Sequence, residues 1–410
     1  MKKILQKYTE TNLIIRILIG LIIGTIIGIA APSWTAISIF GDIFVGALKA
    51  VAPVLVFILV ISALANAGKG IGKRFRTVII LYMLSTFLAA FVAVIFSKAF
   101  PVTLTLAQAQ AAEGAAAPEG IGEVLKSLIT NMVANPVKSL MEANYIGILT
   151  WAVIFGLAVK SVGNAETKSV LDCLSKAVTK AVQWIINIAP FGIMGLVFTT
   201  VSENGLDAFT TYGKLLAVLI SCMLAVALIF DPLIAAICLK KNPYPLVLRC
   251  FKDSGLTAFF TRSSAANIPI NMALCEKLGL DEEIYSVSIP LGATINMDGA
   301  AITINVMTLA AANTLGIQVD IPTALILSVI AALGACGSSG VAGGSLLLIP
   351  MACSLFNIPS DIAMQVVGIG FIIGVVQDSL ETAINSSGDV LFAATAEFME
   401  WKKQGKEIKF

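Results

Sequence analysis

Asp378, Glu381, Thr382, Asn385 and Asp389 follow one another at i, i+3, i+4, i+7 and i+11. At 3.6 residues per turn, that spacing sets three carboxylates, a hydroxyl and an amide on one helix face about three turns long. The run before them, "VVGIGFIIGVV", is apolar, so the acids lie in a segment suited to a membrane interior. A second polar island, "TINMDGA" (residues 294–300), puts Asn296 and Asp298 between two apolar stretches. Gly299 is expected to let that helix unwind and free main-chain carbonyls. Carbonyls together with a carboxylate make an all-oxygen cage for a hard cation such as sodium.

The charge balance points the same way. From 278 to 401 there is no Lys or Arg in 124 residues, against eleven Asp and Glu. Asp298, Asp378, Glu381 and Asp389 fall inside apolar segments. Each charge at a helix centre costs about 2.5–3.5 kcal/mol, and four cost on the order of 10 kcal/mol together. The nearest fixed cation is Arg262, so cations bound from solution are the natural compensation. The chain has no His, which removes the usual imidazole proton shuttle and metal ligand. Its seven Cys form no CxxC pair, which argues against a disulfide framework or a zinc site. No HExxH, Ser/Lys or Cys/His dyad pattern is present, so an enzyme is not expected.

The elements that must position these groups are membrane helices. The 410 residues are 58% hydrophobic and 13% charged, with a mean hydropathy of +0.93. No basic, aromatic-interleaved patch suggests nucleic acid. Candidate spans fall near 12–31, 38–66, 77–100, 122–161, 177–200, 212–239, 284–314 and 362–399, with 122–161 interrupted. The apolar N-terminal run reads as the first span, not as a cleaved signal. Residues 101–121 are Ala/Gly/Pro-rich and read as a mobile loop. Lys and Arg cluster at 2–7, 68–76, 160–180, 240–252 and 402–409. By the positive-inside rule both termini are then cytoplasmic; Lys126 and Lys138 fit that pattern less well.

Two segments are too short-armed to span. Residues 246–281 have two arms joined by "TRSSAANIP", with Arg249, Lys252 and Lys277 at their flanks. Residues 321–357 have two apolar arms joined by "GACGSSGVAGG", with no Lys or Arg near either end. Both read as re-entrant hairpins, entering from opposite sides, whose tips must line a cavity. The first is followed by a helix with Asn296 and Asp298, the second by a helix with Asn385 and Asp389. Inverted repeats with interrupted helices are a common way for transporters to build a midplane site. The Ser-rich tips offer N–H groups and half-helix ends to an anionic group such as an α-carboxylate. The expected fold class is an all-α polytopic membrane protein with eight transmembrane helices and two re-entrant helical hairpins.

At "TRSSAANIP", "PLGATINMDGAA" and "DSLETAINSSGD" the sequence resembles the dicarboxylate/amino acid:cation symporter family, with its glutamate-transporter fold. The match covers nearly the whole chain and looks closest to the family's bacterial sodium/serine-threonine branch. That fold is itself an inverted-repeat architecture, so the repeat and the resemblance count once. The resemblance implies a homotrimer in the bacterial inner membrane. It implies a scaffold over about 12–66 and 122–200, and a transport domain over about 77–100 and 212–400 that moves like an elevator. It implies one sodium at Gly292, Asn296, Asn385 and Asp389, and a second at Thr294 with carbonyls of Ala335, Cys336 and Ser338. A third would use Asp298 with Tyr82, Ser85 and Thr86, three residues that equally well serve as hydrogen-bonding glue between helices. The substrate α-carboxylate would meet Ser263, Ser264, Val341 and Asn385, and its amino group Asp378, with Thr382 alongside.

Where acidic-substrate relatives carry an Arg one residue before the equivalent of Thr382, this chain has Glu381. Where they carry a Thr after "NMDG", it has Ala300. An acidic substrate would lose a bidentate partner and meet a like charge. Sodium-driven uptake of serine and threonine is therefore expected. The alternatives are a sodium- or proton-coupled symporter of other small neutral or acidic amino acids or dicarboxylates, or an ion channel. Glu381 either accepts a hydrogen bond from a substrate hydroxyl or pairs with Arg262.

Overall fold

The computed structural model describes residues 11–66, 73–106, 126, 129–338 and 343–408. All its regular elements are helices, and no strand occurs among the described residues. Helices α1 (Leu13–Ala30), α2 (Ser38–Asn66) and α3 (Lys73–Ala99) come first. The short α4 (Pro136–Met141) and α5 (Tyr145–Val162) follow, each started by an Asn whose side chain accepts N–H groups of the first turn. This is the interruption expected in 122–161.

The span expected at 177–200 is instead two helices, α6 (Ala165–Asn187) and α7 (Ala189–Asn204), bent by 52° at Ile188. Pro190, in the first turn of α7, has no N–H to continue the helix and forces the break. The sequence reading also placed a mobile loop at 101–121. Its described part is packed: Val102, Leu104 and Leu106 are buried, and the Leu104 N–H donates to Thr314 Oγ1 (2.7 Å). Residues 107–121 lie outside the described chain.

Helix α8 (Asp207–Ala225) runs through a π turn, Val226–Phe230, into α9 (Asp231–Leu239). The first short-armed segment comprises α10 (Tyr244–Cys250), a π turn at Phe251–Gly255, α11 (Leu256–Thr261) and α12 (Ser264–Lys277). Its break is narrower than "TRSSAANIP". Only Arg262, in the left-handed region (φ 53°), and Ser263 leave the helix, and Pro269 sits inside α12. Helix α13 (Glu282–Ile295) ends at Asn296, and α14 begins at Asp298 and runs to Thr314. The second short-armed segment has α15 (Ile321–Ala335), a 3-10 turn at Ser345–Leu348 and α16 (Ile349–Ser354). Asp320 caps α15. The Thr323 hydroxyl and N–H beside it hold its carboxyl below the usual carboxylate range. The last helix, α17 (Ser360–Lys403), has 44 residues.

Packing divides these helices. α1 lies on α7, and α2 on α5, α6 and α7. α3 lies instead on α13, α14, α15 and α17. Among the described residues, six helices are long and apolar enough to cross a membrane, and the bent α6–α7 pair, taken as one span, makes a seventh. Large apolar side chains such as Ile19, Ile22, Ile26 and Ile29 of α1 point outward, as lipid-facing residues do. Inside, α14 and α17 are buried along most of their length, polar residues included.

Candidate functional site

α17 carries the centre of the site. Asp378, Glu381, Thr382, Asn385 and Asp389 are all buried, on the face that meets α11–α14 and the second short-armed segment. The helix break at 296–297 delivers the facing groups. It lies two residues ahead of Gly299, which sits within the first turn of α14 rather than unwinding it. Gly299 serves close approach: a Cβ there would lie 2.7 Å from Glu381 Cα. Its N–H donates to Asn385 Oδ1 (2.8 Å). Asn296 Nδ2 donates to the main-chain oxygen of Asn385 (3.0 Å). Two amides thus tie the break to the middle of α17.

Asp389 stands beside that tie. Its Oδ2 accepts from Asn271 Nδ2 (3.4 Å). Its Oδ1 is fully buried with no hydrogen-bond partner. It faces Gly292, where an added Cβ would fall 2.7 Å from that oxygen. An unpaired buried carboxylate oxygen is among the most costly groups a protein can hold, and a cation on it removes the cost.

Asp298 is differently placed. The Ser85 hydroxyl donates toward both its oxygens (2.8 Å each) and the Thr86 hydroxyl donates to Oδ1 (2.8 Å). Tyr82, grouped with them by resemblance, has its hydroxyl elsewhere. It donates to the main-chain oxygen of Asp389 (2.9 Å). Thr294 and Cys336 line a cleft of about 840 Å³ beside α6, together with Lys168 and Asp172. The Thr294 hydroxyl donates to Leu291 O (2.7 Å), and Ser338 Oγ to Met297 Sδ (3.4 Å). Ala335 is buried at the end of α15.

Asp378 joins the two tips. Its Oδ2 accepts from Arg262 Nε of the first (2.6 Å) and its Oδ1 from the Gly343 N–H of the second (3.0 Å). Arg262 therefore pairs with Asp378 and not with Glu381. Glu381 Oε2 accepts from Thr303 Oγ1 (2.7 Å), Ser345 Oγ (2.9 Å) and Gln377 Nε2 (2.5 Å). Those three donors lie on α14, the second segment and α17, so Glu381 Oε2 links these three elements. Thr382 Oγ1 donates to Asp378 O (2.8 Å). Ser263 caps α12 through the Ala266 N–H (3.2 Å), and Ser264 is buried in its first turn. Val341, expected at the substrate carboxylate, lies outside the described residues.

The sequence reading missed Gln377, Thr303, Ser345 and Asn271. Thr303 and Gln377 had a signal, each lying four residues from a residue already chosen (Gly299 and Glu381). Ser345 had none, since only the folded chain brings it to α17. It also missed Asp231, an acid inside the apolar run "AVALIFDPLIAA". Asp231 is buried, and its Oδ1 has no hydrogen-bond partner.

Residues 13–398 match the model of the sodium:dicarboxylate symporter family. The chain is 61% identical over 401 residues to the serine/threonine transporter SstT of Bifidobacterium adolescentis, covering 98% of this chain and 93% of that protein. It is 57% identical over 403 residues to SstT of Streptococcus thermophilus, covering 98% and 100%. It is 59% identical over 397 residues to SstT of Streptococcus agalactiae, covering 97% and 98%.

Proposed function

The chain belongs to the sodium:dicarboxylate symporter family, and on that footing we propose that it takes up serine and threonine by coupling them to inward sodium. The observation that carries the proposal is Asp389 Oδ1, buried and unpartnered against the Gly292 cradle. An all-oxygen, His-free pocket of this kind suits a hard monovalent cation. Relatives 56–61% identical over nearly the full length bear the name serine/threonine transporter, which supports the substrate.

The first sodium is held by Asp389 with Gly292, Asn296 and Asn385, and the second by Thr294 with Ala335, Cys336 and Ser338. The third lies at Asp298 with Ser85 and Thr86; Tyr82 contributes through Asp389, whose main chain its hydroxyl holds. The amino group of the substrate takes the place of Arg262 on Asp378, and the α-carboxylate meets the N-terminus of α12 at Ser263 and Ser264, with Asn385 and Val341. Because Glu381, held by its three donors, stands where acidic-substrate relatives carry an Arg, a side-chain carboxylate finds a like charge there instead of a cation. A small neutral side chain fits that field.

The eight-span reading counts α1 and the interrupted 122–161 region as spans and the two short-armed segments as re-entrant hairpins. The packing of α1, α2, α5, α6 and α7 chiefly among themselves, with lighter contacts from α17 to α2 and α7 and from α16 to α5, supports a scaffold and a moving transport domain. An elevator-type cycle in a homotrimer of a bacterial inner membrane, with cytoplasmic termini, completes the proposal. The test is uptake of labelled serine into proteoliposomes. Uptake is expected with inward sodium and not with choline or with a proton gradient alone. Equal uptake in choline would refute the coupling.

A further inference from the structure

Two amides, Asn267 and Asn271, lie one turn apart on α12, and both are fully buried. Buried amides are costly unless hydrogen-bonded; Asn267 Oδ1 has no partner, but the other amide atoms of this pair join three elements. The Ser254 hydroxyl, from the π turn before α11, donates to Asn271 Oδ1 (2.5 Å). Asn267 Nδ2 donates to Asn271 Oδ1 (3.1 Å), to Ser386 Oγ (2.7 Å) and to Ser254 Oγ (3.0 Å). Asn271 Nδ2 donates to the main-chain oxygen of Ser386 (3.0 Å) and to Asp389 Oδ2 (3.4 Å).

The orientation of the Asn271 amide follows from its partners. A main-chain carbonyl can only accept, so the atom facing Ser386 O is the nitrogen. The same nitrogen faces the carboxylate of Asp389, also an acceptor. The oxygen then turns to Ser254, which has a proton to give. We propose that Asn271 is a positioning residue for sodium. It takes one oxygen of Asp389, and so presents the other to the Gly292 cradle. The proposal rests on reading Asp389 as a sodium ligand. Without the amide, the carboxylate turns about its last torsion and no longer meets the cradle in one geometry. The consequence is that the first short-armed segment, which carries Ser254, Asn267 and Asn271, sets the sodium affinity of a site built on α13 and α17.

The test reads the sodium midpoint of purified protein from its thermal stabilisation, with choline keeping ionic strength constant. Asn271→Leu is expected to raise that midpoint about tenfold, the order of one hydrogen bond to a charged group. Serine affinity at saturating sodium is expected to stay within about twofold, which a general loss of packing would not do. Ser254→Ala removes the hydroxyl that holds the amide and touches no proposed ligand. It is expected to shift the midpoint in the same direction by about threefold, and it serves if Asn271→Leu does not fold. In an Asp389→Asn background Asn271→Leu should add no further weakening. A wild-type midpoint in folded Asn271→Leu, a wild-type midpoint in Ser254→Ala where Asn271→Leu does not fold, or additive weakening in the double variant, would overturn the proposal alone. An unshifted midpoint in Asp389→Asn itself would overturn the reading of Asp389 as a ligand, and the proposal with it.

Discussion

Asp389→Asn is the sharpest perturbation of the site, because the structure fixes how the new side chain must sit. Asn271 Nδ2 stands 3.4 Å from Asp389 Oδ2 and is itself held by Ser386 O. A donor faces that position, so the substituted amide must turn its oxygen there. Its NH2 group then points to the cradle at Gly292, where the carboxylate had offered Oδ1. The variant removes a negative charge and also aims two N–H donors at the cation. Removing one partner of a buried charge pair costs about 2–5 kcal/mol. At about 1.4 kcal/mol per decade, that is roughly 30- to several-thousand-fold in affinity. The misdirected donors place the expectation in the upper part of that range, at about 300-fold or more. The fold should persist, since Asn matches Asp in shape and keeps the bond to Asn271. The assay is the sodium midpoint of thermal stabilisation, alongside the sodium dependence of serine uptake in proteoliposomes. A well-folded variant with a wild-type midpoint would show that Asp389 is structural and that the cradle holds no cation.

Three further outcomes are expected. Asp378→Asn should weaken serine binding far more than sodium binding, by about 2–5 kcal/mol in serine affinity, because it removes the charge proposed to meet the substrate ammonium; wild-type binding of labelled serine would exclude that role. Gly292→Ala should raise the sodium midpoint and leave serine affinity at saturating sodium unchanged, since its Cβ would lie 2.7 Å from Asp389 Oδ1 and 2.9 Å from the Tyr82 hydroxyl; an unchanged midpoint speaks against the cradle. Glu381→Arg strips the acceptor from Thr303, Ser345 and Gln377, each bond to a charged group being worth about 1.5–3 kcal/mol. It should lower the unfolding temperature and abolish serine transport, with only a weak gain of aspartate binding that grows when Ala300→Thr is added. Competition of labelled serine by unlabelled aspartate decides this, and strong competition in the unaltered protein would overturn the selectivity argument at its root.

Much of the site was legible in the sequence because helical periodicity is a local rule. The spacing of Asp378, Glu381, Thr382, Asn385 and Asp389 requires nothing but 3.6 residues per turn, and α17 keeps them all on its inner face. The lack of Lys and Arg from 278 to 401 likewise announced acids with few fixed counter-charges nearby in the sequence. Periodicity fails where the chain bends. Gly299 was expected to unwind the helix, because Gly is the weakest helix former nearby. The break falls instead at Asn296–Met297, where Asn385 Oδ1 accepts the freed N–H of Gly299 and Thr86 Oγ1 that of Met297. Pro190 split an expected span in two for the opposite reason, a local rule that the apolar composition had masked.

What only the tertiary structure decided is which polar group answers which. Arg262 had two acids within reach in sequence terms, and the fold gives it Asp378 because the two tips converge on that carboxylate. Sequence left Glu381 to meet either a substrate or Arg262; the fold gives Arg262 to Asp378, and Glu381 Oε2 accepts from Thr303 and Ser345 of distant segments and from Gln377 one turn away. Asn271 is 118 residues from Asp389, and no spacing rule connects them. The sequence alone determined that acids lie within apolar helices and on which helix faces. Hydrogen bonds are short-ranged and directional, so the pairing among those groups was settled only when packing brought donors and acceptors within about 3 Å.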